Sequence, residues 1–319
     1  MSDAAATSPS EESHVRSGIL LLVAASALWS LNGVLIKLVY ADGAGPSGLS
    51  IAFYRSLFAG LLLVPLAWRG FPTLASGRWP IRPASLFCIV FYTGMTANFV
   101  IANTRTAAAN AIILQYTATF WIFALSPILL AEYPRRRDMW ILCIAIAGIA
   151  IIFLGNEPTD QLGLANALAS GMFFGLLTMM IRKLRTSDSA AVTVANNLGS
   201  ALLLLPFMLA GDSFALSLRE FLLLVLMGGV QFGLPYYLYS KGLSRVPAFQ
   251  ACLITLMEPI LVPLWTLAAL GEQIPRATLA GGSLIIVALL IFFVMKRKTE
   301  RVAQRVVPPA GQQTDGMNT

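Results

Sequence analysis

Charge is scarce in this 319-residue chain: Asp, Glu, Lys and Arg make up 12% of it, against about 25% in soluble globular proteins. Hydrophobic residues make up 57%, and mean hydropathy is +0.75. A chain with so little polar surface cannot cover a water-soluble core, so an all-α integral membrane protein with several spans is the class that fits. Histidine is rarer still. The single one, His14, lies in a polar N-terminal segment, which excludes the histidine clusters that bind metals or act as bases. Cysteine is also sparse: Cys88, Cys143 and Cys252 sit far apart inside apolar runs, without the pairing that a redox motif or a metal site needs. No glycine-rich phosphate loop occurs, so ATP is not the energy source, and no cofactor or metal is expected. Residues 1–17 are polar, acidic and Ser-rich, so no signal peptide is expected before the first span. The net charge of +7 comes from short basic clusters between apolar runs rather than a continuous stripe, which argues against nucleic acid as a partner.

The most informative stretch runs from Pro247 to Glu272. It is long enough to cross a bilayer, yet Glu258 stands near its middle with Pro259 directly after it. At a rise of about 1.5 Å per residue, the carboxylate lies on the order of 16 Å into a hydrocarbon slab roughly 30 Å thick. An acid at that depth must be paired, neutralised or wetted, which makes it a functional-site candidate. Pro259 removes one backbone hydrogen bond and leaves a carbonyl for some polar group to satisfy.

Ten apolar segments reach spanning length, at about 18–39, 48–68, 84–103, 107–131, 138–155, 163–182, 190–210, 219–240, 247–270 and 277–295. Short linkers join them, flanked by tails at 1–17 and 296–319 that are expected to be disordered and cytoplasmic. With the N-terminus inside, 17 of the 22 basic residues fall on the inner side; Arg105, Arg219 and Arg276 alone fall outside, while Lys37 and Arg55 lie within spans. That asymmetry predicts a multi-pass cytoplasmic (inner) membrane protein with both termini inside.

The two halves also resemble each other. At a constant offset of 140, Arg105 aligns with Arg245, Ala108 with Ala248, Ala111 with Ala251, Glu132 with Glu272 and Arg136 with Arg276. Five spans per copy reverse the second one, predicting an inverted repeat over 18–155 and 163–295, with a binding site at the repeat interface near the midplane.

Several motifs carry a family resemblance. WSLNGVLIK, the Arg55 of span 2, ANTRTAAANAIILQYTATFW, LLAEYPRRRD and ALGEQIPR resemble the EamA-like branch of the drug/metabolite transporter superfamily. That resemblance implies ten helices in two inverted five-helix repeats and movement of small metabolites, often amino acids, out of the cell. One position departs from it. The family often carries Pro in span 4 where this chain has Thr119, so the first-repeat half of the cavity is expected to be straighter than the family norm and the site less than strictly symmetric.

Glu258 is the candidate proton carrier, or the acceptor of a substrate ammonium; the bland alternative is a protonated acid tying the Pro259 kink to a neighbour. Arg55 is either an anion clamp or a side chain snorkelling to the interface, and snorkelling is the expectation for Lys37. Gln115 and Thr119 fall on one face of span 4, with Thr255 at the equivalent face of span 9; Asn98 and Asn32 are further candidate walls. Trp29, Tyr116, Tyr236 and Tyr239 are candidate stacking residues, with ordinary packing as the alternative. The resulting expectation is a secondary transporter or exporter of amino-acid-like metabolites, embedded in the lipid bilayer, with protons as possible co-substrates, as monomer or homodimer. Efflux of hydrophobic cations or drugs is the rival within the class. An integral-membrane enzyme acting on lipid-linked substrates is the rival outside it.

Overall fold

The computed structural model describes residues 9–40, 45–69, 71–74, 83–129, 136–157, 160–184, 187–211, 214–243, 245 and 254–306. Among them every long element is helical: α1 (Pro9–Trp29), α2 (Asn32–Tyr40), α3 (Gly48–Ala67), α4 (Pro83–Arg105), α5 (Ala108–Gln115), α6 (Ala118–Leu129), α7 (Arg136–Gly155), α8 (Gln161–Lys183), α9 (Ser189–Gly211) and α10 (Leu218–Leu226). A π-helical segment (Met227–Gly233) leads directly into α11 (Leu234–Leu243), and α12 (Glu258–Leu270) and α13 (Arg276–Val306) complete the chain. Among the described residues, six helical stretches are long and apolar enough to cross a membrane: Val15–Tyr40, Gly48–Ala67, Pro83–Arg105, Gln161–Ile181, Ala190–Ala210 and Leu218–Tyr239. Three shorter apolar helices, Cys143–Gly155, Glu258–Leu270 and Arg276–Ile291, accompany them.

The burial pattern inverts that of a soluble protein. Leu61, Phe87, Leu154, Leu203 and Leu209 face outward, while Ser26, Asn32, Arg55, Asn110, Asn197 and Gln231 are buried. Such an arrangement costs nothing when hydrocarbon surrounds the outside and the polar groups bond to one another within. Helix starts are written locally. Ser217 and Glu220 form a capping box at the head of α10, and the Ser47 hydroxyl accepts the Ser50 N–H at the head of α3, each satisfying otherwise orphaned donors. The polar segment 9–17, expected to be disordered, instead enters α1 from Pro9, and α13 runs on to Val306 inside the expected basic tail.

The helices pair as α3 with α9, α7 with α13, α5 with α12, α4 with α8 and α1 with α11. Small residues permit the closest of these approaches. A Cβ on Gly148 of α7 would stand 2.6 Å from the Gly281 carbonyl oxygen of α13, so only glycine fits there.

Three helical segments are interrupted, and those breaks build the site. α1 gives way to α2 at Ser30–Leu31, and α5 to α6 at Tyr116–Thr117. α12 begins just after a turn at Leu256–Met257. The break in span 4 corrects the expectation of a straighter helix at Thr119. Proline is not what interrupts it: the Thr117 hydroxyl donates to the Leu114 carbonyl, and α8 closes in at Gly171, where a Cβ would stand 2.7 Å from the Leu114 carbonyl oxygen. Side-chain competition for the backbone has the effect that proline has in α12.

Candidate functional site

Pro259 offers no N–H to the carbonyl of Thr255, four residues back. The Tyr116 hydroxyl, from the break between α5 and α6, lies 2.7 Å from that carbonyl oxygen and 3.0 Å from Glu258 Oε2. Asn32 Nδ2, at the first residue of α2, donates to Glu258 Oε1 at 3.0 Å. The half-buried carboxyl group of Glu258 is therefore held by two side chains that come from two other helix breaks. A phenol carries one proton and here has two oxygens in reach. Either Tyr116 donates to a carboxylate, or a protonated Glu258 donates to Tyr116 while Tyr116 donates to the Thr255 carbonyl. The same heavy-atom positions serve both proton states.

A second group lies across the aromatic side chains of α11. Trp29 meets Tyr236 edge to face with centroids 5.1 Å apart and lies 5.3 Å from Tyr239. Tyr236 in turn packs edge to face on Phe232, at 5.4 Å. Arg55 sits behind this wall, only 2% exposed, with its guanidinium carbon 4.1 Å from the Phe232 ring centroid and its Nη2 donating to the Thr96 hydroxyl. Arg55 does not snorkel: its side chain turns inward to α4 and the π segment. Lys37 does not reach for the interface either. Its Nζ pairs with Glu272 Oε2 at 2.6 Å and donates to the Thr106 carbonyl at 3.3 Å. The left-handed Gly271, φ 67°, ends α12 and aims Glu272 at this cluster, where Glu272 Oε1 also accepts the Ala108 N–H at 2.7 Å. Glu272 thereby caps α5, which has no side-chain cap of its own.

Of the other candidates, Gln115 points elsewhere. Its Nε2 donates to Ser170 in α8, and the turn at 116–117 destroys the helical spacing that would have aligned it with Thr119. Thr119 stands in α6, and its side chain lies outside the described residues. Asn98 donates to the Gly94 carbonyl of its own helix. Thr255 contributes its carbonyl. Glu132, Ala248, Ala251 and Cys252 lie outside the described residues.

Gln231, Phe232 and Thr96 escaped the sequence reading. Gln231 Nε2 donates to the Trp29 carbonyl at 3.1 Å, covering the backbone group freed where α1 breaks. The available signal was a lone amide in an apolar run, flanked by Gly228, Gly229 and Gly233 and followed by Pro235. Proline at 235 cannot bond to the carbonyl four residues back, and the glycines let the backbone widen into a π turn, a form that clusters at functional sites.

The EamA-like transporter family model matches residues 16–154 and again 161–294. The chain is 26% identical over 286 residues to the pseudopaline exporter CntI of Pseudomonas aeruginosa, covering 86% of this chain and 95% of that one. It is 24% identical over 312 residues to a probable amino-acid metabolite efflux pump of Salmonella typhimurium, covering 90% and 99%. A crystal structure at 19% identity shares the fold, with a TM-score of 0.62 over 88% of this chain and 97% of the other. Apolar helices wrapped around buried polar breaks, together with a family model matched along both halves, place this chain among the multi-pass membrane proteins of the EamA-like transporter family.

Proposed function

We propose that the chain is a ten-helix secondary transporter that exports a small organic metabolite by alternating access, with amino acids and related amphipathic compounds as its leading substrates. The observation that carries the reading is the Glu258 carboxyl group held at the meeting of three broken spans. Broken helices at mid-membrane leave unpaired backbone and polar groups that a carrier can lend to substrate or ion. The inverted repeat has two supports. The family model matches twice, and the turns at Tyr116–Thr117 and Leu256–Met257 fall at the 140-residue offset found in the sequence. The helix pairings fit it as well: span 2 on span 7, 4 on 9 and 5 on 10 are self-paired, while 3 on 6 and 8 on 1 exchange. Both termini are cytoplasmic in this reading, as the basic loops require.

Glu258 exchanges a proton, or receives an ammonium group, as the site faces each side in turn, with Asn32 and Tyr116 holding it in either state. Trp29, Tyr236 and Tyr239 line the approach. The test is flux from proteoliposomes loaded with a metabolite extract, across a pH series, for the wild type and Glu258→Gln. The expected outcome is saturable, pH-dependent export in the wild type and loss of export, or of its pH dependence, in the variant. An unchanged pH profile in Glu258→Gln would remove the assigned role. Efflux of hydrophobic cations is the second reading, favoured by the same aromatic wall beside a carboxylate.

A further inference from the structure

Arg55 is the largest of the side chains that are almost wholly buried, and among the described residues its charge has no carboxylate partner. Lys37–Glu272 is the salt bridge found among the described residues. A guanidinium brings five N–H donors. Here one nitrogen donates to Thr96, the Phe232 ring covers a face, and Nε has no hydrogen-bond partner. Two phenols pack on that same ring, Tyr92 with its centroid 6.0 Å away and Tyr236 at 5.4 Å, and the Tyr92 hydroxyl is committed to Asn197 Oδ1 at 2.9 Å. A cation–π contact and one hydroxyl do not replace the hydration that such a charge gives up on burial. A buried cation without its anion is what a carrier keeps when the anion arrives with the cargo.

We propose that Arg55 is the anion-binding pole of the transport site, taking a carboxylate or phosphate group of the cargo, so that an acidic group is a condition of export. The inference rests on the transporter reading above and sharpens it: cargo is anchored by its oxyanion at Arg55 and extends past Tyr236 toward Glu258. It also disfavours hydrophobic cations without an acid group. The π segment lies against the same turn of α3, where a Cβ on Gly228 would stand 2.9 Å from the Arg55 carbonyl oxygen, and it supplies the Phe232 ring that covers the guanidinium. Arginine suits the task better than lysine, because its planar fork grips two oxygens at once.

The test uses the full chain in liposomes loaded with a total small-molecule extract, with exported compounds identified by mass spectrometry. Every compound exported by the wild type should carry a carboxylate or phosphate, and the spectrum separates the two. The simple amide of each exported acid should leave at least about tenfold more slowly, the factor expected when a hydrogen bond to a charged group is lost. Arg55→Gln should slow the acids by at least that factor, and Arg55→Lys, which keeps the charge but not the fork, should recover part of the loss. Export of compounds lacking any acidic group, or amides leaving as fast as their acids, overturns the assignment while leaving the transporter reading intact. The wild-type comparison stands even if Arg55→Gln fails to fold. Absence of any export removes the transporter reading itself.

Discussion

A carboxyl group buried in a membrane needs partners, and Glu258 takes them from residues distant in sequence. Asn32 comes from 226 positions away and Tyr116 from 142. Tyr116 does double duty, since its hydroxyl also reaches the carbonyl that Pro259 leaves without a donor. Tyr116→Phe keeps the ring and removes only that hydroxyl, so a backbone carbonyl and a carboxyl oxygen lose their partner together. The expected cost is about 1–3 kcal/mol, read as a lower thermal midpoint in detergent, accompanied by weakened export. A variant as stable as the wild type would mean that water or another donor takes over the carbonyl. Glu258 and Pro259 were legible as a site in the sequence because an acid in an apolar run is costly wherever the helix faces. Asn32, an ordinary amide inside an apolar run, could be placed only as one candidate wall among several.

At the scale of the helix, breaks and close contacts carry the architecture. The break in α12 was written in Pro259, whereas that between α5 and α6 was not, because it arises from a threonine hydroxyl and the close approach of α8 at Gly171. The π segment was equally hidden: its glycines read as packing residues, and nothing local distinguishes a widened turn from a regular one. Glycine itself plays two different parts, and they can be separated. Gly148→Ala would thrust a methyl group to 2.6 Å from a backbone oxygen of α13 and 2.9 Å from Ile285, forcing α7 and α13 apart at a cost of about 1–3 kcal/mol. Gly271→Ala meets no atom within 4 Å and is charged only for its left-handed backbone, about 1–2 kcal/mol. Helix separation should therefore appear in the first variant alone, as a longer distance between spin labels placed at the exposed Leu154 of α7 and Leu279 of α13; an equal distance in both variants would contradict it.

For the whole molecule, the polar latch around Glu272 joins parts that the sequence keeps far apart. Lys37 of α2, the Thr106 carbonyl and the Ala108 N–H converge on the residues that follow α12, and Asn110, Thr106, Asn156 and Thr278 continue the network across α7 and α13. On the transporter reading this is the outer closure over the site. Lys37→Met should open it, so that a cysteine replacing the buried Thr266 reacts several-fold faster with an impermeant thiol reagent added outside. Exchanging the charges, Lys37→Glu with Glu272→Lys, should bring the rate back toward the starting value. An unchanged rate in Lys37→Met would mean that the pair does not hold the closure.

By itself the sequence determined that this chain lives in a membrane, which family it resembles, and that Glu258 is exceptional. Those conclusions depend on quantities summed along the chain or on the cost of one charge in hydrocarbon, and neither needs to know which helices touch. Tertiary structure alone decided what Glu258, Arg55 and Lys37 meet. Snorkelling and inward pairing begin from the same place on a helix, and the choice between them depends on the neighbours present at that depth. Thr96, Phe232 and Glu272 become neighbours only once the helices have packed.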